Sequence, residues 1–183
     1  GLFVLGVLGI TFFIPAGTIA YWEAWVFMAI VAIPAAVFLS HLLRTDPQVL
    51  ERRMRMKEKE PGQKTIMKFS YAVFILSFLT PGFDKRFGLS SVPFAIILAA
   101  DVIVFLGYVI FVSVVNANRY ASRIIEVEPG QKVISTGPYA VVRHPMYVGA
   151  LLINVFGPLA LGSYWAMIAS VLFIPIIVAR IVN

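Results

Sequence analysis

Long uncharged stretches alternate with short charged ones along the whole chain. Residues 1–22 carry no charge, 24–43 only the titratable His41, and 69–83, 102–118 and 145–179 again none. At a helical rise of about 1.5 Å per residue, runs near 20 residues match the roughly 30 Å hydrocarbon layer of a bilayer. The pattern predicts spans at about 2–20, 23–43, 67–82 and 92–116. Pro15 and Pro34 fall inside the first two, where neighbouring helices compensate a lost backbone bond.

The last run, 145–179, would be roughly 52 Å long as one helix, too long for a single crossing. Its middle, "FGPLALGSYW" from Phe156 to Trp165, holds two glycines, a proline and a serine. A hairpin is therefore predicted, with a short arm over 145–156 and a longer arm over about 163–180. Such a hairpin returns Arg180 to the face that holds His144. The fold class is all-α: a polytopic helical membrane protein of about four spans plus a C-terminal helical hairpin. It reads as a single membrane domain, with the spans in 1–115 and a cofactor-binding loop and hairpin in 116–183. Gly1 in place of Met, and an end at Asn183 straight after an apolar run, read as trimmed termini.

The connecting segments are less regular. "AGTIAYWE" reads as a turn whose Tyr21, Trp22 and Trp25 suit an interfacial aromatic belt. In the polar segment 44–68, Asp46-Pro47 reads as the cap and first turn of a short charged helix to Glu60, stopped at Pro61-Gly62. "GFDKRFGLSS" separates the third and fourth spans. Asp101 is the one acid inside the fourth, and the plain reading is that it packs against a polar partner within the bundle.

Charge adds an orientation. Only 13% of the 183 residues are charged, against about 25% in soluble domains. Arg44–Lys68 holds eight basic and four acidic residues, and Arg119–Arg143 four and two. The turn near residue 20 has no basic residue and the turn at 84–86 has two. By the positive-inside rule both long polar segments, and the face carrying His144, belong in the cytoplasm. The net charge of +6 suits anionic lipid headgroups. Nucleic-acid binding is not indicated, because the bases are mixed with acids and no aromatic platform accompanies them. With no cysteine and two histidines, disulfides and thiolate metal sites are excluded and no metal site is assigned.

The chemistry concentrates in "STGPYAVVRHPMYVG", Ser135 to Gly149. Gly137-Pro138 makes a turn, and Pro145 suits the first position of a helix, where its missing N–H is not needed. The N–H groups of that first turn, with Arg143 and His144 beside them, form an anion site at the membrane surface. Tyr139 and Tyr147 flank it with aromatic faces able to attract a cation. S-adenosylmethionine (SAM), with a carboxylate, a cationic centre and a flat ring, is a ligand of that kind. An interfacial anchor with no ligand is the other reading these residues allow.

From about Asn116 to Arg180 the chain resembles the isoprenylcysteine carboxyl methyltransferase family and its relatives, the phospholipid methyltransferases. "NANRYAS", "QKVISTGPYAVVRHPMYVG" and "GPLALGS" carry the resemblance, above all Arg-His-Pro-x-Tyr-x-Gly with Gly-x-Tyr six residues upstream. The resemblance implies SAM as cofactor, leaving S-adenosylhomocysteine, and a lipophilic membrane-embedded acceptor, isoprenylcysteine-carboxylate-like or another lipid. It also implies cofactor contacts at Gln131, Lys132, Val133 and Ile134, largely through backbone, and at Tyr139, His144, Pro145, Met146 and Tyr147. Glu126 falls near a polar cofactor contact, and Arg180 takes the place of an arginine that works at the acceptor. The family follows that arginine, four residues on, with a glutamate, a position beyond Asn183. Two other classes stand as alternatives: an NADPH-dependent sterol-type membrane reductase and a small transporter. The first would need more spans and another cofactor signature, the second an internal repeat.

Overall fold

The structure, a computed structural model, describes residues 2–45, 61–117 and 135–182, and all the regular structure among them is helical. Four long helices come first: α1 (Leu2–Ala16), α2 (Trp22–Thr45), α3 (Pro61–Phe87) and α4 (Phe94–Ala117). A one-turn 3₁₀ helix (Gly137–Ala140) precedes α5 (Pro145–Ala160), α6 (Tyr164–Ser170) and α7 (Phe173–Val182). Helices α2, α4, most of α3 and the α6–α7 unit are long and apolar enough to cross a bilayer, and α1 and α5 are shorter apolar helices. The chain is an integral membrane protein.

Several boundaries differ from the predicted ones, each for a local reason. The first helix ends at Ala16 rather than residue 20. Gly17 takes the left-handed φ of +65°, and its N–H turns back to Phe13 O (3.0 Å) and Ile14 O (3.1 Å). Pro61 opens a helix instead of stopping one, a role the first helical position allows. The charged helix expected up to Glu60 lies outside the described residues. Helix α3 also runs through Pro81-Gly82 to Phe87, so Asp84, Lys85 and Arg86 sit in its last turn rather than in a loop. The cause is packing against α1: a Cβ on Gly82 would lie 2.8 Å from both Phe12 O and Pro15 Cβ.

The predicted hairpin is present, but its bend is displaced. The first arm continues through Gly157-Pro158 to Ala160, and the chain turns at Leu161 and Gly162, the latter at φ +77°. Pro158 forfeits one backbone bond, whereas continuing the helix places Gly157 against the rings of Phe78 and Phe27, 3.1 and 3.3 Å from where its Cβ would be. Those rings belong to the main core, with Phe12, Tyr21, Ala100, Val104 and Leu159. The second arm breaks at Val171-Leu172 into α6 and α7. Pro175 explains the break, since it has no N–H for the Val171 carbonyl and its ring crowds that carbonyl.

Helices α4 and α5 are in intimate contact. A Cβ on Gly149 would lie 2.8 Å from Gly107 O, and one on Gly107 would lie 3.0 Å from Gly149 O and from the Ile153 side chain. Small residues on both helices let the backbones approach to this range. The contact fixes the start of α5.

Asp101 departs from its plain reading. It is 2% exposed, and among the described residues neither of its oxygens meets a hydrogen-bond donor. A buried polar group without a bond costs about 1–3 kcal/mol. Asp101→Val is therefore expected to raise the unfolding temperature in detergent, and a fall would show that the carboxylate has a partner.

Candidate functional site

The site forms where α5 begins. His144 is the N-cap, with φ −127° and ψ 62°, and its side chain makes no capping bond. Pro145 is buried and holds the first helical position. The Tyr147 N–H donates to His144 O (3.1 Å) and the Val148 N–H to the same oxygen (3.3 Å). Since Pro145 has no N–H, Met146 is the first-turn donor that can serve an anion. This is a narrower site than the motif predicted. The rings of His144 and Tyr147 lie 5.8 Å apart at an interplanar angle of 33°, with His144 and Arg143 exposed and Tyr139, Met146 and Tyr147 half-buried.

The 3₁₀ helix carrying Tyr139 leans on the C-terminal end of α4. Gly137 makes this possible: its φ is +60°, and a Cβ there would sit 3.8 Å from that of Ala117. Tyr139 thus stands beside α4 while α4 holds α5 through the glycine contact. Gln131, Lys132, Val133, Ile134 and Glu126 lie outside the described residues.

Arg180 comes from the last turn of α7, where a cation complements the helix dipole. The hairpin brings it back to the start of α5, as predicted. Its Nε donates to the Tyr147 hydroxyl at 3.2 Å, and its side chain is half-buried. Residues separated by 33 positions are therefore in direct contact. The guanidinium offers a planar set of donors suited to a carboxylate, next to aromatic faces suited to a cation. His41 is exposed and shares a groove between α2 and α4 with Tyr108 and Asn116.

At the far end of the bundle lies a polar cluster the sequence reading missed. Asp84 accepts from the Ser90 N–H (2.7 Å) and Ser90 Oγ (2.6 Å), and also from Ser163 Oγ in the hairpin turn. Lys85 Nζ reaches both oxygens of Glu23, at 2.9 and 3.1 Å. Tyr21, expected in the interfacial belt, is fully buried and donates to Leu161 O at 2.6 Å. Burial, with Glu23 and Asp84 nearby, holds its phenol above the ordinary range. Trp22 and Trp25 are exposed as a belt requires. No periodicity marks this cluster, because its members come from four separate segments. Every bond in it joins the hairpin turn or a helix end to a neighbour, so its work is structural.

Residues 96–183 match the model of the isoprenylcysteine carboxyl methyltransferase (ICMT) family. No curated protein and no solved structure matches the chain.

Proposed function

Through residues 96–183 the chain belongs to the isoprenylcysteine carboxyl methyltransferase family, a family of membrane methyltransferases, and from that premise we propose that it transfers a methyl group from SAM to a lipophilic acceptor within the bilayer. The observation that carries this reading is the meeting of Arg180 with Tyr147 at the start of α5. It joins the motif's helix start to a cation that can hold an acceptor's head group.

The donor set suits SAM. The rings of Tyr139, Tyr147 and His144 offer faces for a sulfonium and an adenine, and the Met146 N–H offers a donor for the carboxylate. Gln131–Ile134 would line the adenosine, and Glu126 would add a polar contact. Held by these groups, SAM would supply an electrophilic methyl for the acceptor oxygen and would leave as the thioether S-adenosylhomocysteine. The remaining work is alignment and exclusion of water. Arg180 holds the acceptor carboxylate in line. A carboxylate is already unprotonated at neutral pH, so the step needs no general base. The acceptor arrives laterally from the membrane, and its apolar tail stays among the spans. The count of basic residues supports a cytoplasmic position for this end of the bundle.

Calorimetry of SAM binding to the protein in detergent tests the site. Wild-type protein is expected to bind, and His144→Ala combined with Tyr147→Ala to lose at least about tenfold in affinity, the equivalent of one lost hydrogen bond or ring contact. Unchanged affinity would place the cofactor elsewhere. Binding of NADPH instead would favour a reductase.

A further inference from the structure

We propose that the Tyr147 hydroxyl is a positioning group for the acceptor: it orients the guanidinium of Arg180 and so ties the cofactor-side helix start to the acceptor-side arginine. This rests on the reading of Arg180 given above.

The placement of the two groups carries the argument. Tyr147 is the third residue of α5, two residues from the buried Pro145 and two from Gly149. A Cβ on Gly149 would strike the α4 backbone, so this stretch of α5 cannot shift without separating the two helices. The backbone that carries the phenol is thus held in place. Arg180 has the longer side chain of the two, and such a side chain loses much rotamer freedom when its head is held. A bond at Nε, the nitrogen nearest the stem, restrains the plane of the guanidinium. That plane decides whether a carboxylate can be met by two parallel N–H groups. Hydrogen bonds to a charged group are stronger than neutral ones, which suits the phenol to hold Arg180 against solvent.

The ring and the hydroxyl of Tyr147 therefore have separable duties. The ring stands beside His144 at 5.8 Å and belongs to the cofactor wall. The hydroxyl faces Arg180 and belongs to the acceptor. Tyr147→Phe keeps the first and removes the second.

The test uses an N-acylated S-farnesyl cysteine as acceptor probe, with the whole chain in detergent. For Tyr147→Phe the acceptor KM is expected to rise about tenfold, on the scale of one charge-assisted hydrogen bond, while the SAM dissociation constant stays within about twofold by calorimetry. A purely structural role would lower the unfolding temperature without this split between acceptor and cofactor. A rise in the SAM dissociation constant with the acceptor KM unchanged would overturn the proposal and assign the hydroxyl to the cofactor. A second measurement needs no acceptor. The unfolding temperatures of Tyr147→Phe, Arg180→Lys and the double variant are compared as a cycle. The double variant is expected to be no worse than the poorer single one, and full additivity would show that the two groups do not interact. Wild-type protein that binds SAM but leaves the probe unmethylated would tell against a carboxylate acceptor, a failure distinct from additivity in the cycle.

Discussion

Arg180→Ala is expected to lower kcat/KM for a carboxylate acceptor by about 100-fold, equivalent to roughly 2.7 kcal/mol of lost transition-state stabilisation. Removing one partner of a half-buried charged contact costs on the order of 2–5 kcal/mol, and the lower part of that range applies because Arg180 retains some solvent contact. SAM affinity should stay within about twofold, since the proposed role of the side chain is at the acceptor. Arg180→Lys should recover part of the loss: it restores the charge but not the planar fork. Steady-state kinetics with calorimetry on the same preparations decide the matter. A variant that loses SAM binding and turnover in equal measure would move Arg180 to the cofactor, and one that turns over normally would remove it from the reaction.

The second large effect is expected far from the site. Asp84 is 2% exposed and Ser163 fully buried, and the carboxylate accepts from Ser90 twice and from Ser163 once. Asp84→Ala leaves these donors without an acceptor in a water-poor environment, at an expected cost of about 3 kcal/mol or more. The unfolding temperature in detergent should fall by several degrees. Because Ser163 caps α6 by accepting from the Ala166 N–H (3.0 Å), the loss should also loosen the return of the second arm and weaken turnover indirectly. Asp84→Asn keeps one acceptor oxygen and should fall between the two. An Asp84→Ala protein that melts with the wild type would mean that the hairpin turn holds without this anchor.

These two residues differ in how far the amino-acid order alone revealed them. The return of Arg180 to the His144 face follows because a 35-residue uncharged run must fold back, whereas its place at the acceptor came only from the family resemblance. Length against bilayer thickness is a sum along the chain, so it needs no knowledge of neighbours. The same kind of arithmetic located the spans, and the Arg-His-Pro step into an apolar run marked the start of α5. Asp84 falls in the segment read only as the turn between the third and fourth spans, because nothing near it in sequence announces Ser163, 79 positions on.

Bends and partners are a different matter. Gly157-Pro158 has the composition of a turn, yet it is helical, since the rings of Phe78 and Phe27 fill the space beside Gly157 and that packing outweighs one missing backbone bond. Tyr21 has the composition of an interfacial residue, yet it is buried, with its hydroxyl donating a hydrogen bond to the Leu161 carbonyl in the hairpin turn. Asp101 was given a polar partner that the folded bundle does not supply among the described residues. The 3.2 Å contact of Arg180 with Tyr147 follows from the hairpin in outline, but its atoms were set by where Pro175 breaks the second arm and where Gly107 seats the first. Hydrophobic length is additive along a chain, whereas a hydrogen bond or a ring contact exists only once a second surface has arrived at van der Waals range.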